Sequence, residues 1–149
     1  MNREILLVRE NLTTQAVLAD ELVNQGTTYR RFFSGCTCTR PVVNEGDATT
    51  IYATGMYKIS VEATFTAPAA GDVTLTLFEN GTAVDGAFAT ETITTATTET
   101  RSVSFSTYVV VDQTRVLGIN AITPKSYTLV NTGVAATFTR VQVAVENVL

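Results

Sequence analysis

From Tyr57 onward the chain alternates between apolar and polar residues. In MYKISVEATFTA, Tyr57, Ile59, Val61, Ala63 and Phe65 fall on one face, and Lys58, Ser60, Glu62, Thr64 and Thr66 on the other. A period of two predicts a strand with one buried side. APAAGD interrupts the pattern, and DVTLTLFENG resumes it with Val73, Leu75 and Leu77 inward, as far as Asn80-Gly81. That dipeptide tolerates positive φ at both positions and is a strong hairpin signal. The alternation recurs in AFATETITT, in RSVSFSTYVVV with Val103, Phe105, Val109 and Val111 aligned, in RVLGINA, in SYTLVN, and in the closing NTGVAATFTRVQVAVENVL. Seven or eight strands at spacings of about ten residues have the cadence of a sandwich or jelly roll.

The first third reads differently. In TTQAVLADELVNQG, Val17, Leu18, Leu22 and Val23 share a face at helical spacing, with threonine ahead as an N-cap and Gly26 behind as a C-cap. This predicts a short helix over residues 13–26, too short to stand alone in water and so docked on something. Ile5 to Val8 reads as a strand or as part of the same arm. The expected organisation is an N-terminal arm over residues 1–50, serving attachment or trimer docking, and a sheet domain over residues 51–149.

Composition supports an all-β chain. Charged residues make up 16% of the 149, against a usual share of about 25%. Threonine fills 28 positions and favours strands through its branched Cβ. The net charge is −4, and the ten Lys and Arg are scattered apart from Arg30-Arg31, so no basic stripe is present to follow a phosphate backbone and nucleic acid is not an expected partner. No apolar run is long enough to cross a bilayer, so no membrane partner is expected, and MNREILLVREN lacks the form of a secretory signal. Synthesis in a cytoplasm is the expectation.

Candidate chemistry is sparse. The chain has no histidine, which removes the usual general base and the Ser-His and Cys-His routes to an activated nucleophile. Its acidic residues fall in turns or on outward faces, where solvated charge is their ordinary role. No enzyme activity, cofactor or metal site is expected. Cys36 and Cys38 are the only cysteines and lack the further ligands of a structural zinc site. They read as two small thiols, with an intersubunit bridge or a shared metal as alternatives. NEGD, residues 44–47, has oxygens a calcium ion could use but reads as an acidic turn, and the N-x-T sequence at Asn80 reads as part of its hairpin.

TGMYKISVEATFTA, GDVTLTLFENGTAVDGA, SVSFSTYVVV and YTLVNTGVAATFTRVQVAVENV together resemble the jelly-roll module of bacteriophage head-fibre and capsid-decoration proteins. That module has a tumour necrosis factor-like trimeric fold, and the stretches are also similar to the C-terminal domain of exosporium collagen-like glycoproteins. The resemblance covers about Ile51 to Leu149 and contains no catalytic motif. It implies a jelly-roll sandwich, to which the spacing read above adds a short helical arm, and a virion protein of a tailed phage. It also implies a last strand near a threefold axis, and a major capsid or other virion protein as partner. The alternative is a receptor-binding module that recognises a host surface glycan or protein.

Two strands have a second face with few charges: Ser102, Ser104, Ser106, Tyr108 and Val110 on one, and Ala136, Phe138, Gln142 and Ala144 on the last. A sheet facing water ordinarily carries more Lys and Glu there. The expected homotrimer interface therefore includes Tyr108, Val110, Phe138, Gln142 and Ala144, and the expected capsid-attachment residues are Val17, Leu18 and Leu22.

Overall fold

The computed structural model describes residues 4–34 and 40–148. Cys36 and Cys38 lie outside the described residues. The strands are β1 (Glu4–Asn11), β2 (Gln15–Val17), β3 (Leu22–Val23), β4 (Thr27–Ser34), β5 (Val42–Glu45), β6 (Ala48–Ile51), β7 (Gly55–Thr66), β8 (Gly71–Glu79), β9 (Thr82–Ile93), β10 (Arg101–Val111), β11 (Gln113–Val116), β12 (Ile119–Ile122), β13 (Lys125–Asn131) and β14 (Ala136–Val148). They form a first sheet in the order β10-β7-β14-β1-β4, with β2 also on β14, and a second in the order β5-β6-β13-β8-β9, with β3 also on β13. β11 and β12 make a separate hairpin. Every pairing among these strands is antiparallel.

The alternation read from the sequence gives the core. Tyr57, Ile59, Val61, Ala63 and Phe65 of β7 and Val73, Leu75 and Leu77 of β8 are buried between the sheets. Asn80 and Gly81 both have positive φ, 49° and 83°, which makes the β8-β9 connection a two-residue turn of the type whose twist suits a hairpin. The C-terminal strand β14 occupies the middle of the first sheet, between β7 and β1.

Residues 13–26 are not a helix. β2 pairs with β14 through Val17 and Ala136, and β3 pairs with β13 through Val23 and Leu129. The segment thus crosses from one sheet to the other. Asp20 turns the corner at φ 66°, its N–H donating to the Asn131 carbonyl at 2.6 Å, while buried Asn131 Nδ2 donates to the Val17 and Val134 carbonyls. Helical spacing among Val17, Leu18, Leu22 and Val23 fits this path equally well, and the waiting sheet edges satisfy backbone groups that a short helix would have to satisfy alone. Val17 and Val23 enter the core, whereas Leu18 and Leu22 face solvent.

The first fifty residues are likewise not an arm beside the sandwich. β1 is an inner strand of the first sheet, β5 and β6 extend the second, and Ile5, Leu7, Val17, Val23 and Val42 belong to the shared core. Deleting residues 1–26 would strip β14 of β1 and β2 on one side and take Ile5, Leu7, Val17 and Val23 from the core, so a folded truncated domain is not expected.

A bulge displaces two expectations on β14, since Ala136 and Phe138, both expected on the outer face, are buried. Phe138 pairs with Phe65 but Arg140 pairs with Thr64, leaving Thr139 as an extra residue. The parity of inward positions changes there: Ala136 and Phe138 are buried before it, Val141, Val143 and Val145 after it. Phe138, expected on the outer face, is fully buried with its ring centroid 5.6 Å from that of Phe65. Replacing Phe138 with alanine should therefore cost about 3–5 kcal/mol of stability in urea denaturation. A loss below about 1 kcal/mol would contradict this packing. Phe105 is only half-buried, so Phe105→Ala should cost less.

Candidate functional site

With the bulge included, the outward positions of the first sheet form continuous rows. Val110 pairs with Met56, and Met56 with Val148. Tyr108, Lys58, Glu146, Leu6 and Phe32 make the next row across all five strands, followed by Ser106, Ser60, Ala144, Val8 and Arg30. Farther along the strands lie Ser104, Glu62, Gln142 and Glu10.

This face has two ends of different character. Toward Val110 the β10 side is apolar, with Tyr108 62% exposed, Met56 44% and Val110 42%, while Lys58 and Glu146 separate it from Phe32, 52% exposed on β4. Single exposed apolar side chains are ordinary, and the adjacent Met56, Tyr108 and Val110 make this end a candidate contact surface. Toward Arg140 it is charged: the guanidinium meets Glu10 at 3.2 Å and Glu62 at 3.4 Å, and donates to Gln142 at 3.1 Å. These pairs are partly solvated and contribute roughly 0–1 kcal/mol each. Tyr108, Val110, Gln142 and Ala144 thus share one face as expected, and Leu6, Val8, Phe32 and Met56 join them. The last four were missed because register, not sequence, places their strands side by side.

Behind this face sits a cation that sequence reasoning passed over. Arg9 is 1% exposed. Its Nε and Nη2 donate to the Gly26 carbonyl at 3.1 and 2.6 Å, Nη1 to the Ala48 carbonyl at 2.8 Å and to Thr49 Oγ1 at 3.0 Å, and Nη2 also to the Gly46 carbonyl. Gln25 Oε1 lies 3.4 Å from Nη1 and accepts from Thr49 at 2.6 Å. Burial pushes the guanidinium down to about 10, opposed by the charge of Asp47, and it remains charged at neutral pH. The acidic turn at residues 44–47 therefore directs backbone oxygen at a side-chain cation. Gly26 admits no side chain, since a Cβ would lie 2.1 Å from the Glu10 carbonyl oxygen.

A second electrostatic clip holds the crossover from β9 to β10. Glu99 accepts from the backbone N–H groups of Thr94 at 2.5 Å and Thr95 at 2.9 Å, and from Arg101 at 2.7 and 3.0 Å. The Thr95 N–H, then Arg101, then the Thr94 N–H hold its carboxyl down to about 2. Because the folded pKa is depressed, the clip's contribution is present above the ordinary carboxylate range and is lost as pH falls through about 2. An NMR titration should find the Glu99 carboxyl ionised at pH 3.5, and a midpoint near 4.5 would contradict the clip.

No protein-family model matches the sequence, and no curated protein matches it. Among solved structures, murine APRIL at pH 5.0 aligns over 97% of this chain and 99% of its own, with a TM-score of 0.55 at 8% identity. The fold is a jelly roll of the tumour necrosis factor-like kind. At that identity the likeness concerns fold alone. The PRD1 vertex protein aligns over 99% of this chain and 97% of its own at 12% identity, with a TM-score of 0.47 that adds nothing to the fold argument. Among the described residues, no three His, Cys, Asp or Glu side chains cluster as metal ligands, and no helix is long and apolar enough to cross a membrane.

Proposed function

We propose that this chain is a non-enzymatic structural protein of a tailed-phage virion, a trimeric capsid-decoration or head-fibre protein made in the host cytoplasm. The observation that carries the assembly is the apolar end of the first sheet's outer face. Three copies packed about a threefold axis beside this face would cover Met56, Tyr108, Val110 and Val148 against their neighbours. The virion reading rests on the resemblance of residues 51–149 to phage head-fibre and decoration modules. The jelly-roll fold agrees with it without selecting it.

Attachment to the major capsid protein needs a different surface. Leu18 and Leu22, both exposed on the crossover between the sheets, serve it in this proposal, while buried Val17 holds the crossover in place. The test is mass spectrometry of purified virions, followed by rebinding of purified protein to particles stripped of it. Stoichiometric presence and rebinding weakened by Leu18→Asp with Leu22→Asp are expected. Absence of the chain from intact particles would overturn the virion role.

A further inference from the structure

We infer that the groove between the end of β1 and the start of β4 is a binding site for a neutral oligosaccharide. The groove has a volume of about 940 Å³ and runs from Glu10 and Leu12 past Asn24 and Gly26 to Tyr29 and Asn44. That is room for several sugar rings rather than one ion or water.

Its chemistry is that of amides and hydroxyls. Asn11, Gln15, Asn24 and Asn44 all line it, alongside Thr13, Thr27 and Thr28. Hydrogen bonds between β2, β5 and the segment before β4 fix three of these amides. Gln15 Nε2 donates to the Asn24 carbonyl and Gln15 Oε1 accepts from the Asn24 N–H, both at 2.9 Å. Asn24 Oδ1 accepts from the Gly26 N–H at 2.7 Å, and Asn44 Nδ2 donates to the Gly26 carbonyl at 3.3 Å. Among the described residues this leaves Asn24 Nδ2 as an unused donor and Asn44 Oδ1 as an unused acceptor, held in place before any ligand arrives. A hydroxyl both donates and accepts, so a sugar can use the two together.

The groove also has an aromatic wall and no free charge. Tyr29 is 63% exposed, and the Arg30 guanidinium, 5.6 Å from its ring centroid, steadies the ring. An aromatic face suits the apolar side of a pyranose. Of the two charged residues lining the groove, Arg9 spends its donors on buried carbonyls and Glu10 is paired with Arg140. No lining residue offers an anionic ligand a free cation, and Arg30, beside the groove, is engaged on the Tyr29 ring. Glu10 lies four residues along β1 from Leu6, about 13 Å, so packing at the apolar end leaves the groove open. The site therefore stands whether or not the virion role does.

The test is a printed array carrying neutral, sialylated and sulfated oligosaccharides, probed with the full-length protein. A neutral oligosaccharide that scores on the array is then titrated against the protein by NMR. Binding to neutral probes is expected, weakened about tenfold by Tyr29→Ala, the worth of one lost stacking contact. Asn24→Ala should weaken it as well, and the melting temperature of Tyr29→Ala should match the parent because the side chain is exposed. No binding, binding confined to the charged probes, or binding indifferent to both substitutions would overturn the site.

Discussion

Replacing Arg9 with alanine is expected to destabilise the fold by about 3–5 kcal/mol, among the largest losses available from one side chain. The guanidinium is the sole donor shown for the Gly46 and Ala48 carbonyls outside the strand ladders, and it also serves Gly26, Thr49 and Gln25. It therefore joins β1 of the first sheet to the β5-β6 turn of the second. Truncation would leave several buried acceptors unmet, each costing about 1–3 kcal/mol before relaxation. Lysine should rescue only part, because three donors on one nitrogen cannot reproduce a planar fork spread over five acceptors. Urea denaturation of the two variants checks this. A loss below about 1 kcal/mol for Arg9→Ala would show that the cation is incidental.

Substituting lysine for both Met56 and Val110 is expected to convert the proposed trimer into folded single chains. The two residues are cross-strand partners at the apolar end of the first sheet, with side chains directed away from the core. A charge buried there loses its hydration at a cost of several kcal/mol per ion, and a trimer would bury six of them. At about 1.4 kcal/mol for each factor of ten, association at micromolar concentration would be lost. The β-sheet circular dichroism should be retained, since neither residue packs inside the sandwich. An assembly that survives both substitutions would place its interface elsewhere.

The sequence made the strands of residues 57–111 readable because each has one dry and one wet side, and a period of two reports that directly. It failed where parity breaks or where two periods coincide. Thr139 is an inserted residue that nothing in TFTRVQV announces, so Phe138 was assigned to the wrong face. Val17, Leu18, Leu22 and Val23 satisfy a helical spacing and also a strand-turn-strand path, and the choice was made by β14 and β13, more than one hundred residues away in the chain. Arg9 was legible in principle: it shares parity with Ile5 and Leu7 in EILLVREN, which places it inward once β1 is accepted as an inner strand. The candidate interface was half legible, since the low charge of SVSFSTYVVV marked Tyr108 and Val110. Leu6, Met56 and Phe32 entered only through the sheet order β10-β7-β14-β1-β4.

The most direct test of the proposed assembly is the mass of the unmodified protein in solution. Light scattering or native mass spectrometry at micromolar concentration should give three times the 16.0 kDa of one chain. Tyr108 and Val110 should then be protected from solvent. A stable 16.0 kDa species with both side chains accessible would contradict the trimer and the role built on it.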